Sequence, residues 1–217
     1  MRDDIAHMRA FWDARFTHEG KVWGDAPSRS VAHALDLLRG HPVQRVLVPG
    51  SGYGRNTRPF SEAGYEVVGV EISAAACRLA ALHDPATTTH CRSALDLAFD
   101  ETRYDAIYCF NVLHLFRDEG RRSFLRQCGA HLVEGGIGYF SVFSEQEPSY
   151  GRGAQVEPNT FESKPGRPVH YFDEDDLSAH FAEWKVLDTG LIHDPEDHGA
   201  GPHTHVLRWV LATVPRA

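Results

Sequence analysis

A short apolar strand running straight into three glycines constrains this chain more than any other stretch. Val46-Leu47-Val48-Pro49-Gly50-Ser51-Gly52-Tyr53-Gly54-Arg55-Asn56-Thr57 has the character of a buried strand, then a glycine turn, then a helical pattern that Gly64 ends. Glycine allows positive φ and lets the backbone approach a ligand closely. A helix start behind such a turn offers free N–H groups. A tight strand-to-helix connection needs the same glycines, so the neighbouring segments must decide between ligand loop and plain turn.

Those neighbours alternate between apolar runs and helical patterns. Strands are expected at 45–48, 66–70, 90–92, 105–110, 137–143, 184–192 and 206–214. Helices are expected at 3–18, at 28–39 with Ser28 as cap, at 56–63, at 73–83 with Ser73 as cap, and at 118–132. Alternation of this kind implies an α/β fold, a mostly parallel sheet with helices on both faces. The last two of the seven strands have no room for a helix between them, so they form an antiparallel hairpin. A chain of 217 residues suits one domain, 1–217, with a helical lid at 1–40. The Gly- and Pro-rich stretch 144–169 is too long for an ordinary connection and is expected to be a substrate loop.

Composition narrows the partners. The formal charge is −8, from 22 basic and 30 acidic side chains, and Arg121-Arg122 is the one adjacent basic pair. No basic stripe of a nucleic-acid binder is present. Four scattered cysteines without a CxxC pair fit reduced thiols in the cytoplasm. No apolar run reaches membrane-spanning length. The expected partner is a small molecule, with no nucleic acid and no membrane; the oligomeric state stays open.

Two features join the glycine turn. Glu71 ends the second strand seventeen residues after Gly54, where a carboxylate can accept both ribose hydroxyls. The spacing G-x-G-x-G differs from the G-x-G-x-x-G of a nicotinamide fold. Together with Tyr104-Asp105-Ala106-Ile107-Tyr108-Cys109-Phe110-Asn111-Val112-Leu113-His114, these segments resemble the class I S-adenosylmethionine-dependent methyltransferases. Leu47-Val48-Pro49-Gly50, with Val48 where that class usually has an acid, and the segment from Phe11-Trp12 to Val22-Trp23-Gly24 resemble the thiopurine and thiol methyltransferases. Gly54-Arg55-Asn56-Thr57 resembles the tellurite-resistance methyltransferases. The resemblance implies a Rossmann-like sheet and S-adenosylmethionine as cofactor. It implies that Trp23, Gly50, Ser51, Gly52, Asn56, Glu71, Ile72, Ser93, Ala94, Phe110 and Asn111 form the cofactor pocket. It favours a soft acceptor such as a thiol, selenium or tellurium compound.

The chain has 14 histidines, and 193–205 carries several of them in what reads as a loop at the ligand end of the sheet. His114, His203 and His205 are the candidate bases, which an oxygen or nitrogen acceptor would need and a thiolate would not. Tyr150, His170 and Tyr171 are candidate acceptor contacts. No metal is expected, although His203 and His205 have the two-residue spacing that places ligands on one face. A nicotinamide oxidoreductase and a metal-binding protein remain as lesser alternatives.

Overall fold

The computed structural model describes residues 2–198 and 201–215. Seven strands form one sheet in the order β3-β2-β1-β4-β5-β10-β9. β1 (Arg45–Pro49) is central, with β2 (Glu66–Glu71) and β4 (Tyr104–Phe110) parallel on its two sides. β3 (Thr88–Cys91) extends one flank and β5 (Leu132–Phe143) the other, both also parallel. β10 (Gly201–Thr213) runs antiparallel between β5 and β9 (Lys185–His198). The order reverses between β1 and β4, and such a switch point opens a crevice beyond the strand carboxyl ends.

The inner strands read as unbroken apolar runs because successive residues enter two different cores. Leu47, Val70, Ile107 and Phe140 face one layer, with Phe124 and Leu125 of α5 (Asp118–His131). Val46, Val48, Tyr108 and Tyr139 face the other, where α2 (Arg29–Leu38) contributes Val31, Ala34 and Leu38. A third cluster joins Phe16 of α1 (Arg2–Glu19), Tyr53 and the first turn of α4 (Ala74–His83). Among the described residues, no helix is long and apolar enough to cross a membrane.

Several expectations need correction. The segment 193–205 is not a loop. Its described residues, 193–198 and 201–205, are the paired outer part of the β9–β10 ribbon, with His205 opposite Asp194 and His203 opposite Glu196. β5 pairs with β10 only from Leu207 to Thr213, so the ribbon continues past β5 on the crevice side. Its polar residues and prolines hid it, because a two-stranded ribbon is held by its ladder and needs no apolar face. The stretch 144–169 is also ordered, into β6 (Ala154–Glu157) and β7 (Thr160–Glu162), which form a small antiparallel sheet with β8 (Val169–His170). The helix expected at 56–63 shortens to α3 (Arg58–Glu62). Ser28 precedes α2 as expected but makes no side-chain cap; its hydroxyl meets Ser30 instead. Ser73 does cap α4, accepting from the Ala76 N–H. A short α6 (Glu174–His180) was not anticipated.

Candidate functional site

The crevice is a cavity of about 280 Å³ whose wall is mainly apolar. Its floor is the glycine turn. Gly50 and Gly52 sit at φ +69° and +59°, the left-handed region that favours glycine. A Cβ on Gly50 would lie 2.2 Å from Val112 Cγ2, so the turn admits no side chain there. Gly50 and Ser51 both donate to the Val70 carbonyl, which ties the turn to the end of β2.

Glu71 and Ile72 leave β2 beside this floor. The Glu71 carboxylate accepts from the Gly52 N–H (2.9 Å) and the Ser73 N–H (2.8 Å). Burial pushes its pKa up, and those N–H groups act against the rise. Ser93 and Ala94, after β3, form a third edge. Phe110 and Asn111 form a fourth, at the end of β4. Asn111 is held at φ +55°, its N–H donates to the Ser141 carbonyl, and its Oδ1 is buried with no protein partner. A non-glycine residue in that conformation with an orphaned acceptor on a cavity wall is a mark of a ligand site.

α1 forms the wall opposite the turn, through Met8, Trp12, Arg15 and Phe16. Asp13 accepts from Ser73 Oγ (2.9 Å) and the Ala75 N–H (2.8 Å), so α1 is clipped to the start of α4. Those two bonds, Ala75 first, hold the Asp13 carboxyl below its usual range. Trp12, Phe16 and Trp23 pack edge and face over the turn, and Trp23 stacks on Tyr53 at 6.2 Å. Arg55 crosses behind Trp23 and pairs with Glu196 of the ribbon, both side chains 9% exposed. Asn56 lines the same corner and accepts from the Ser28 N–H.

The other end of the cavity is built differently. His114 stacks on Phe143 (4.3 Å), and Phe143 stacks on His205 (5.0 Å). All three line the cavity. Burial, then the neighbouring His205 and His170, pushes His114 down to about 3, so it is neutral. The Phe143 N–H points at its Nδ1 (3.4 Å). His205 behaves oppositely. Burial acts to lower its pKa, but the Glu147 carboxylate at 3.1 Å from Nδ1 raises it above the usual value. Its Nε2 lies 3.2 Å from His203 Nε2, and His203 Nδ1 lies 2.8 Å from the Gly201 carbonyl. Glu147 is fixed in turn by the Val206 N–H (2.8 Å).

Residues 46–136 match the model of a methyltransferase domain. Over those residues the sequence is similar to a methyltransferase domain, and the seven-stranded sheet is that of the Rossmann-like class I methyltransferase fold. The ubiquinone biosynthesis O-methyltransferase of Nitrobacter winogradskyi is 31% identical over 160 residues, which are 69% of this chain and 58% of that protein. The chain therefore spans well under two thirds of the length of that relative. The fold resembles 1,6-didemethyltoxoflavin-N1-methyltransferase of Burkholderia thailandensis, solved with S-adenosylhomocysteine, at a TM-score of 0.73 and 21% identity, covering 98% of this chain and 90% of that one. It also resembles TehB of Haemophilus influenzae, at a TM-score of 0.66 and 17% identity, covering 94% of this chain and 67% of that one.

The cofactor of such a domain is S-adenosylmethionine, and the residues here fit it. Gly50, whose turn has no room for a side chain, Glu71 with its buried carboxylate, and Asn111 with its orphaned Oδ1 all line one cavity. The cavity thus gathers every residue expected in the cofactor pocket, along with His114 and His205. It leaves others out. His203 stands behind His205, off the cavity wall. His170 is buried between Thr160 Oγ1 (2.8 Å) and Asp176. Tyr171 donates to Ser149, and Tyr150, on the surface, donates to Asn159.

His170, Asp176 and His180 do converge, a grouping that can resemble a metal site. Arg121 Nε donates to His180 Nε2 (3.0 Å), so a guanidinium already supplies the positive charge there. Glu147, Arg15, Arg55, Arg167 and Glu196 escaped the sequence reading. Only Arg55 carried a signal, its place in Gly54-Arg55-Asn56-Thr57.

Proposed function

We propose that the chain transfers the methyl group of S-adenosylmethionine to a small-molecule acceptor through oxygen or nitrogen, with His205 as the general base. The observation that supports this is one shared cavity: the Glu71 and glycine floor at one end, His205 braced by Glu147 at the other. The bound cofactor supplies a methyl group on a sulfonium, already activated for displacement. The chain's own work is then to position the acceptor, exclude water and remove a proton.

In this reading Glu71 holds the ribose hydroxyls, and Gly50, Gly52 and Asn111 shape the pocket. Ser93, Ala94 and Ile72 border the adenine. Trp12, Phe16 and Trp23 keep water out. His205 takes the acceptor proton, Glu147 stabilises the resulting imidazolium, and His203 offers the next site for that proton. Neutral His114 stays a fixed wall. A thiolate, selenide or telluride acceptor would leave the Glu147–His205 pair without a task, which ranks the soft acceptors second.

The test is a pH–rate profile with S-adenosylmethionine and a panel of phenols, amines and thiols, reading S-adenosylhomocysteine release. The rate should rise with pH through an elevated histidine pKa, because the base must be neutral. Glu147→Gln should move that inflection to lower pH. A profile flat in pH, or one Glu147→Gln leaves in place, would sink the base assignment.

A further inference from the structure

Two arginines meet on the cavity from separate elements, Arg15 on α1 and Arg167 just before β8. The Arg167 guanidinium stacks on Phe11 at 3.8 Å. No ion pair or side-chain hydrogen bond of its guanidinium occurs among the described residues. Burial lowers its pKa, and the nearby Arg15 charge lowers it further. Arg15 stacks on Trp12 and Trp23 and, among the described residues, has one ion-pair partner, Glu19, at 3.4 Å, whose side chain is 51% exposed. The wall near them is apolar, with Met8, Leu115 and Val169. The cavity's two carboxylates are occupied elsewhere: Glu71 by backbone N–H groups, Glu196 by Arg55.

Two like charges at a half-buried, apolar wall repel each other and lose hydration. An anion entering between them would reverse both costs, and the guanidinium fork matches a carboxylate or phosphate in two bonds. We propose that Arg167 and Arg15 form an anion subsite for the methyl acceptor, which therefore combines an apolar body with a carboxylate or similar anionic substituent. This rests on the methyltransferase reading and names its substrate class. The acceptor is the source of the anion because of where Arg167 lies. Val169 follows it on the same wall, and β8 packs on the turn that carries His114 and Leu115. In that reading the amino-acid end of the cofactor would meet a separate charge pair, Arg55 with Glu196, beside Asn56.

The test is calorimetry on the full chain saturated with S-adenosylhomocysteine. The probes are 2-, 3- and 4-hydroxybenzoate, each against its neutral methyl ester. At least one acid should bind tenfold or more tighter than its ester. Arg167→Gln should erase that preference, Arg167→Lys should keep part of it, and both should bind S-adenosylhomocysteine within twofold of wild type. Esters that bind as well as acids, or no probe binding, would overturn the subsite while leaving the methyltransferase reading intact. A tenfold loss of S-adenosylhomocysteine affinity in Arg167→Gln would assign the anion to the cofactor's own carboxylate and overturn the proposal. Wild-type protein that fails to bind S-adenosylhomocysteine would remove the methyltransferase reading first.

Discussion

The two ends of the cavity are made in opposite ways. The floor is local and mostly backbone: two glycines, one strand-end carboxylate and an asparagine in a left-handed turn, all within 50–111. The far end is assembled from side chains distant in sequence: His114, Phe143, Glu147, Arg167 and His205. A backbone floor suits a ligand whose shape does not change. A wall of side chains on an inserted sheet and a projecting ribbon can be altered without disturbing the switch point of the main sheet. Arg55 and Glu196 join the two ends as a buried pair. The floor should therefore govern cofactor affinity and the far end turnover.

The largest effect should separate them. His205→Ala should lower kcat by about 10²- to 10⁴-fold, the usual contribution of a positioned base, while S-adenosylhomocysteine affinity stays near wild type. Steady-state kinetics beside calorimetry reads both. A parallel loss of affinity would merge the two ends into one unit. Glu71→Ala should do the reverse. Losing two ribose hydrogen bonds to a carboxylate, roughly 1.5 kcal/mol each, weakens cofactor binding about 100-fold, with kcat at saturation much less affected.

Gly50→Ala sharpens the claim that the floor is backbone. Left-handed strain costs about 1–2 kcal/mol, and overlap with Val112 adds a cost of roughly 1–3 kcal/mol. Denaturant unfolding should read the sum, and Val112→Ala in the same chain should recover the overlap part alone.

The smallest effect concerns residues that look catalytic and are not. Burial works to raise the Asp176 pKa, but hydrogen bonds from His170 and then His180 hold it well below the usual carboxylate range. A depressed carboxylate stabilises the fold above its unfolded pKa, and the stability is lost as pH falls through the folded value. Asp176→Asn should cost about 1–3 kcal/mol at neutral pH, flatten that acid dependence and leave kcat unchanged. A large kcat loss would return His170 to the acceptor site.

This difference also explains what the sequence made legible. The glycine turn, Glu71 and Asn111 are spaced along strands whose ends the topology must bring together, so their shared cavity could be anticipated. Seven strands and the terminal hairpin followed from period and connection length. Glu147 carried no such signal, because its meaning depends on His205, 58 residues away and matched only when the ribbon pairs. Arg167 read as one more polar residue in a Gly- and Pro-rich segment, since the Phe11 ring that fixes it belongs to the first helix. His170 misled for the converse reason: histidine beside tyrosine after a long insertion looks like a substrate contact until Thr160 and Asp176 are seen on its two nitrogens.

Everything proposed for the far end depends on the glycine floor, Glu71 and Asn111 binding an adenosyl cofactor. Calorimetric titration of the wild-type chain with S-adenosylhomocysteine, with NADH as the control, tests it most directly. Saturable binding at one site per chain and no heat from NADH are expected. No binding of S-adenosylhomocysteine, or saturable binding of NADH in its place, would contradict it.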